Sequence, residues 1–521
     1  MGTNMGWNEK EAKQRVDGHD FNDFEVNVQD LAKSMDFANL GTKDVRRADA
    51  AHLYVDVPNF HLSVRDASAD KAKQKKLLRA ASVLRKVQGD LLKATDIVGD
   101  DDLGKIQIQA ARLHSLCYKP YGDEATRAKH AVAMAITLNT YIYEVLNGVF
   151  DDLPRKFQSA AGIAAGKSLV ANIGFHGDRE RICLGTPANL AAKILGGGNT
   201  IRITDEVFAH LPELVQEEFV RVDPIAGVEV YQASGLRWGD HQEIASALNV
   251  SWDSDKWKKK TEAYRDELPL DEMEVAWAEV KIDVDALTER NSRRSDAVAI
   301  FADLDGFTRY VQEAEEDDTV VSLVRELHMI RHEFHAVLKQ DFPGIVLQHQ
   351  GDRVFAILHE PCGENQSEKE KRCRRALDAA IGLQSSMHHV LRPKLPQRKS
   401  LHVAIGLDIG TAIVTRLGKK GKREVVCLGP EVIEAEKLQL KSSAKQVRIS
   451  QTIYDAIQDA TLKEEFQKDG AAYVATGLTF PKLEEKQAEC AAKAGQLGAQ
   501  TVNGRVVTLT GAPRQTRPWS R

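Results

Sequence analysis

The sequence predicts an α+β protein in which one unit is used twice, each unit a single sheet with helices on its face. Two observations carry that prediction. The segments AGIAAGKSLVANIGFHGDRERICLG, with Gly162, Gly166, Gly174 and Gly185, and IGLDIGTAIVTRLGKKGKREVVCLG, with Gly406, Gly410, Gly418 and Gly429, repeat with the same internal spacing, the mark of an internal duplication. Around each segment the hydrophobic pattern runs strand, helix, strand pair, helix, strand, glycine-rich hairpins and a further helix, which suits one sheet covered by helices.

Taken in order, residues 1–47 form a polar extension with one amphipathic stretch, Phe24 to Phe37, expected as a short helix. The first copy, 48–235, opens on the strand-like AHLYVDVPNF and continues into a long helical segment from about Ala67 to Ala94. A charged connector, 236–293, carries Trp238, Trp252, Trp257 and Trp277; such large aromatics need a surface to bury against, so one or two packed helices are expected from near Ser254 through DEMEVAWAEVKIDVDALTERN. The second copy, 294–512, opens on VAIFADLDGFT, has a helix over about Thr319–Gln340, and then a strand pair, GIVLQHQGDRVFAIL, turning at Gly351. Its end is set near Gly511 because VNGRVVTLTG resembles GVEVYQAS at Gly227–Ser234, which leaves 513–521 as a tail.

The 521 residues are 42% hydrophobic and 28% charged, enough for two large units with extensions. A formal net charge of -5 with both signs interspersed gives no electrostatic reason for a nucleic-acid or membrane partner. Six cysteines lie far apart without a C-x-x-C pair, as expected of reduced, buried thiols. No apolar run approaches the roughly 18 residues of a membrane span and the first residues lack an apolar signal core, so a soluble, cytoplasmic protein is expected.

Two carboxylates stand where strands end. Asp303 closes a buried strand ahead of Gly306 and Phe307, and Asp352 follows Gly351 at a tight turn. In an antiparallel sheet these ends can meet, and two converging hard carboxylates suit Mg²⁺ or Mn²⁺. Taken alone, D-L-D-G and Q-G-D serve equally well as turn-capping aspartates.

F-A-D-L-D-G-F-T at Phe301–Thr308, Q-G-D-R-V-F-A-I at Gln350–Ile357 and the glycine segment Gly406–Gly429 occur in the order and spacing of the class III nucleotide cyclases, which the chain resembles over residues 50–235 and 296–511. V-P-N-F at Val57–Phe60 and G-T-P-A-N-L-A-A-K at Gly185–Lys193 resemble the other half of a heterodimeric cyclase, whose pattern is G-x-x-V-N-x-x-x-R. The resemblance implies an intramolecular head-to-tail pseudo-heterodimer, with metal carboxylates from one half and Asn/Arg and base-reading residues from the other. Aligning KIQIQAARLHSLCYKPYG with VLQHQGDRVFAILHEPCG sets Ala111 against Asp352, so the first copy keeps Asp56 without its second carboxylate, and the second copy has Ile433 where the first has Asn189. One composite site is expected. It combines Asp303, Leu304 and Asp352 as the metal set with Asn189 and Lys193 as catalytic residues, while the opposite pseudo-site is expected to be structural or regulatory.

The implied reaction is attack of a ribose 3′-hydroxyl on the α-phosphorus of the same nucleoside triphosphate, with two divalent cations, Mn²⁺ or Mg²⁺. Asn189 would orient the ribose. Lys193 stands where the family has Arg and supplies charge without the planar fork. Phe307 joins the substrate contacts, and Lys419, Lys420, Lys422 and Arg423 lie where the family meets the triphosphate, unless they form a solvated basic hairpin. The Lys and the Asp or Thr that read the base in purine-specific relatives are replaced by Gln107 and Ile182, with Tyr54 and Gln109 completing the pocket. Such a pocket resembles that of the bacterial Pycsar pyrimidine cyclases, which make cyclic CMP or cyclic UMP against phage. A cytidylate or uridylate cyclase follows, with CTP narrowly ahead of UTP because either Gln can flip its amide. The implied partners are a nucleoside triphosphate and a downstream cyclic-nucleotide-binding effector, and a monomer suffices because one chain holds both halves. The alternatives are an adenylate or guanylate cyclase with a divergent pocket and an inactive nucleotide sensor. Retention of both Asp303 and Asp352 speaks against the sensor.

Overall fold

The computed structural model describes residues 6–498 except 19–20, 22–23, 32–36, 38–39, 95–96, 98–102, 110–111, 175–179, 317–318, 360–365, 396–399 and 420–422; of residues 103–109, 316, 366, 491 and 493–498 it describes the backbone alone. The described residues form a mixed α+β structure with two sheets of nine strands. The first holds β1 (Asn27–Asp30), β2 (Asp44–Asp56), β3 (Leu103–Gln109), β4 (Arg112–Cys117), β5 (Ala160–Ile173), β6 (Glu180–Leu184), β7 (Thr200–Thr204), β8 (Val220–Ile225) and β9 (Val228–Ser234). The second holds β10 (Glu274–Trp277), β11 (Asn291–Asp305), β12 (Ile345–Gln350), β13 (Arg353–His359), β14 (His402–Leu417), β15 (Glu424–Leu428), β16 (Gln446–Ser450), β17 (Gln467–Asp469) and β18 (Ala472–Thr476).

The strand orders are the same in both: β3-β4-β2-β5-β7-β9-β8 with β1 on β2 and β6 on β5, against β12-β13-β11-β14-β16-β18-β17 with β10 on β11 and β15 on β14. The repeated glycines have a packing cause. A Cβ at Gly162 would strike the Ala191 carbonyl, and one at Gly406 would strike the backbone of Ala435 and Gln439. In each sheet the long strand and the helix following the hairpin therefore touch backbone to backbone.

The repeat extends upstream of the glycine segments. β1 pairs in parallel with β2, Asn27 beside Asp44, and β10 pairs in parallel with β11, Glu274 beside Asn291, so each sheet gains a strand from 17 residues earlier in the chain. This overturns two expectations. The Phe24–Phe37 stretch contains β1 rather than a helix over its described residues, and after a 3-10 turn at Leu270–Glu272 the segment Glu274–Trp277 forms β10 instead of extending a helix. The helix Ser254–Asp266 is present, with Asp253 capping it by accepting from Lys256 N, and Trp257 and Trp238 are buried; Trp277 remains 42% exposed. The long helix expected over Ala67–Ala94 is two, Phe60–Ala67 and Lys71–Leu91, the second capped by Asp70. β18, not VNGRVVTLTG, takes the place of β9 in the second sheet; the chain then runs into a helix, Phe480–Gly498, and VNGRVVTLTG, the end near Gly511 and the tail 513–521 lie outside the described residues.

The two halves interlock. Ile413, Leu417, Val426 and Leu428 of the β14–β15 arm share one apolar cluster with Leu77, Leu84 and Val87 of the first half. Leu169, Ala171, Ile173, Ile182 and Leu184 of the β5–β6 arm share another with Leu323, Leu327 and Ile330 of the second. Burial of this kind is worth roughly 1.5–3 kcal/mol per large side chain. The segment ahead of β1 docks on the second half, although β1 itself joins the first sheet. Arg15 donates to both Glu333 oxygens, at 3.0 and 2.8 Å, and to both Asp341 oxygens at 2.9 Å, and Trp7 Nε1 donates to Ser386 Oγ at 2.7 Å. No described helix is long and apolar enough to cross a membrane.

Candidate active site

Asp303 lies near the end of β11, and Asp352 follows Gly351 in the β12–β13 turn, where a φ of +71° favours glycine. The antiparallel register Ala302 opposite Val354 brings the two carboxylates to the same end of the sheet. Burial raises the pKa of Asp303, against the pull of Arg353 and a hydrogen bond from Gln439 Nε2 to Oδ2 at 3.1 Å. Burial raises Asp352 further, and the charge of Asp303 adds to it. Asp303 still has 27% of its side chain exposed, so a ligand can reach it. Two crowded carboxyls that resist ionising together fit a hard divalent cation, which would relieve their repulsion. Leu304 and Phe307 are buried in the core at 4% and 6% exposure, so Leu304 can offer only its backbone carbonyl.

The first half contributes the helix Thr186–Lys193, started by Pro187 in its first turn. Asn189 Nδ2 donates to Thr308 Oγ1 at 3.3 Å, five residues beyond Asp303 in the chain. Lys193 follows one turn later on the same face and is exposed. Asn189 and Lys193 are thus carried on a helix that touches the segment leaving the Asp303 strand.

The next wall comes from β2 and β4. Tyr54 lies opposite His114, and their rings stack at 4.0 Å with an interplanar angle of 12°. Burial raises the phenol pKa of Tyr54, and Cys183, Glu180 and Asp352 reinforce the shift against Arg112, which sets the aromatic wall within electrostatic reach of Asp352. The second sheet repeats this pair as Phe301 and Phe355, stacked at 4.3 Å. Gln107 pairs with His114 and Gln109 with Arg112 along β3, but their side chains lie outside the described residues. Ile182 packs into the interlocked apolar cluster at 3% exposure, while its neighbour Cys183 is the residue near Tyr54. Lys419 and Arg423 are not brought to Asp303 and Asp352: Lys419 pairs with Asp90, which also binds Lys260 at 2.9 Å, and Arg423 pairs with Glu289 at 2.8 Å. Lys420 and Lys422 lie outside the described residues.

Sequence reasoning missed Arg331. Its buried guanidinium donates to the carbonyls of Ile173 (3.2 Å) and Gly351 (2.5 Å) and to Glu180 (3.2 Å). It therefore ties the β5–β6 arm of the first half to the turn carrying Asp352. No motif marks it, since an Arg within an amphipathic helix reads as surface charge. His52 and His114 were also missed, although alternation along β2 places His52, Tyr54 and Asp56 on one face.

At the opposite pseudo-site Arg112 binds Asp56 through Nη2 and Nε, at 2.9 and 3.2 Å. Ile433 lines it together with Phe301, Phe355, Gln348 and Gln350 around a cavity of about 330 Å³. Asp56 is hydrogen-bonded by its guanidinium, whereas Arg353 stands 3.8 Å from Asp303, so Asp56 is the less free of the two to hold a cation.

Residues 290–487 match the adenylate and guanylate cyclase catalytic domain family. A uridylate cyclase of Pseudomonas aeruginosa is 28% identical over 99% of this chain and 98% of its own length. A uridylate cyclase of a Rhizobium species is 28% identical over 69% of this chain and 70% of its own. Among solved structures, a class III adenylyl cyclase-like ATP-binding protein from Pseudomonas aeruginosa superposes with a TM-score of 0.76 at 26% identity, over 93% of this chain and 99% of that one. The duplicated sheets, the strand-end carboxylates and these likenesses agree: the chain carries a class III nucleotidyl cyclase domain.

Proposed function

We propose that the chain is a pyrimidine nucleotide cyclase whose two halves form a head-to-tail pseudo-heterodimer with one working site. The observation that carries this reading is the Asn189–Thr308 hydrogen bond, which sets the Asn/Lys helix of one half beside the Asp303 strand of the other. The 3′-oxygen of the ribose forms a bond to the α-phosphorus, the bond to the β-phosphate oxygen breaks, the hydroxyl proton passes to solvent and pyrophosphate leaves. Asp303 and Asp352, with the Leu304 carbonyl, would hold two divalent cations, Mg²⁺ or Mn²⁺. When bound, such cations acidify the 3′-hydroxyl and offset charge on the phosphates. The Asn189 amide orients the ribose, and Lys193 supplies a point charge near the reacting phosphate. Gly351 and Arg331 fix the Asp352 turn, so the carboxylates are positioned before substrate arrives.

For the base, the reading rests on the described wall of Tyr54, His114 and Cys183 and on the sequence positions of Gln107 and Gln109, which lack the charge expected of a purine site. A phenol and amides discriminate by their hydrogen-bonding edges, and an unmatched buried polar group costs about 1–3 kcal/mol. The sequence alone placed CTP narrowly ahead. Two relatives bearing the name uridylate cyclase favour UTP, so cyclic UMP is the product assigned here. A role in antiphage defence, with a cyclic-nucleotide-binding effector downstream, follows from the Pycsar resemblance. The adenylyl cyclase-like, ATP-binding relative supports ATP as the competing substrate. The test is direct. Purified full-length chain with Mn²⁺ is given ATP, GTP, CTP or UTP separately, pyrophosphate is measured, and the product is identified by mass spectrometry, with Asp303→Ala as the inactive control. UTP turnover to cyclic UMP is expected; release of pyrophosphate from ATP alone would overturn the base assignment, and none from any nucleotide would overturn the enzyme.

A further inference from the structure

Beneath Tyr54, on the same face of the first sheet, lies a cluster that borders the base wall through His114 and Cys183 but takes no part in any step of the cyclase reaction. His52 on β2 and His114 on β4 face each other, with His52 Nδ1 and His114 Nε2 at 3.2 Å, and Cys183 on β6 stands beside them. One nitrogen or sulfur atom from each of the three lies within 4.8 Å of the others.

The surroundings favour one tautomer of His52. Ser168 Oγ donates to the Ala48 carbonyl at 3.4 Å, an arrangement in which its lone pair accepts from His52 Nε2–H at 3.1 Å. His52 Nδ1 then carries a lone pair aimed at His114. That is the arrangement of a metal-ligating imidazole, whose outer N–H is held by an oxygen so that the inner nitrogen points at the ion. In a tetrahedral site with metal–nitrogen bonds of about 2.0–2.1 Å and metal–sulfur bonds of about 2.3 Å, ligand atoms stand roughly 3.3–3.7 Å apart. The His–His separation already fits, and the half-buried Cys183 needs a shift of only about 1 Å. An ordinary His–His hydrogen bond accounts for the 3.2 Å contact but not for the sulfur beside it.

We propose that His52, His114 and Cys183 form a binding site for a borderline-soft divalent metal of the zinc type, separate from the oxygen-donor pair Asp303 and Asp352. Two imidazoles and a thiolate select such an ion over Mg²⁺. Binding releases the thiol proton to solvent as the S–metal bond forms. Because His114 stacks on Tyr54, the ion would lock the base wall; that consequence rests on the cyclase reading, whereas the site does not.

Cobalt(II) is the probe. Titrated into metal-free full-length protein, it is expected to give a thiolate-to-cobalt charge-transfer band saturating at one equivalent, displaced by Zn²⁺ and not by Mg²⁺. The band is lost in Cys183→Ser and weakened at least tenfold in affinity in His114→Gln, with folding of each variant checked by circular dichroism. Asp303→Ala keeps it. Absence of a thiolate band in folded wild type, or an unchanged band in Cys183→Ser, overturns the site. Neither result depends on turnover, so failure of the cyclase assay and failure of the metal site are read separately.

Discussion

The guanidinium of Arg331 donates to the carbonyl of Gly351, the residue immediately before Asp352, while its other bonds reach Ile173 and Glu180 in the opposite half. Domain closure and placement of a candidate metal carboxylate therefore share one side chain.

Burial pushes the pKa of the Glu180 carboxyl up to about 8, so at neutral pH it is largely protonated beside Arg331; replacing Arg331 with Met is expected to cost about 1–3 kcal/mol, because the buried carbonyls of Ile173 and Gly351 lose their donor. Arg331→Met with Glu180→Gln should be about as stable as Arg331→Met alone near neutral pH and leave kcat low, on the order of 10²-fold down, because the tie to Gly351 is still absent. Chemical denaturation and steady-state kinetics separate the two effects. A double variant with wild-type kcat would show that Arg331 only stabilises the interface.

Asp303 and Asp352 oppose each other in the metal-free protein. Both are raised by burial, and Asp303 adds to the shift of Asp352. Asp352→Asn should stabilise the metal-free protein at neutral pH, since an amide of the same shape carries no ionisation cost in a site where burial and Asp303 disfavour the charged form. The same change should lower turnover by at least about 10²–10³-fold. Thermal melts with and without Mn²⁺ check the sign: the cation should raise the melting temperature of wild type and leave the variant nearly unmoved.

Asn189 spans the halves through Thr308. Asn189→Ala removes the amide and is expected to lower kcat about 10²-fold with little change in KM, whereas Thr308→Ala should cost less than tenfold because the amide itself remains. Kinetics with the preferred nucleotide distinguish them. Equal losses in both variants would assign the effect to the interface rather than to ribose orientation.

What the sequence revealed follows from how local each feature is. The glycine repeats were legible because Gly162 and Gly406 each admit a helix backbone at contact distance, a constraint that leaves only one residue type possible. Asp303 and Asp352 were legible because each sits near a strand end marked by a glycine, Gly306 three residues after one and Gly351 immediately before the other. β1 and β10 were not: four-residue strands are too short to show alternation, and what they pair with is set by the sheet. Ile182 and Cys183 show the same limit at finer scale, since adjacent strand residues face opposite sides and a one-residue offset exchanges core for pocket. Arg331 and Lys419 depend on groups more than 150 residues away, Glu180 for one and Asp90 for the other, and no local pattern encodes such pairings.

Lys419 illustrates a prediction in which structure and motif position differ. It is bound to Asp90, which also accepts from Tyr264 (2.6 Å) and Lys260 (2.9 Å). Lys419→Ala should destabilise by no more than about 1 kcal/mol, since the pair is partly exposed and two donors remain. The KM for the nucleotide should stay within about twofold, whereas loss of a triphosphate contact would raise it by tenfold or more. Measuring KM for the preferred substrate decides between them.

Glu431 supplies a pH dependence that can be assigned to one residue. It folds back against Gly410 and Gly429, neither of its oxygens has a hydrogen-bond partner in another described residue, and burial, with Asp408 and Asp296 adding, pushes its pKa up to about 8. The carboxyl is therefore protonated in the folded chain at neutral pH and ionised in the unfolded one. A raised folded pKa means the folded state holds the extra proton, so stability is fully present below about pH 4.5 and is lost as pH rises towards 8, by an amount on the order of a few kcal/mol. Glu431→Gln keeps the shape and removes the titration. Denaturant midpoints at pH 6 and pH 9 should fall in wild type and fall distinctly less in the variant. Parallel slopes would mean that Glu431 finds a partner in solution and ionises at its ordinary pH.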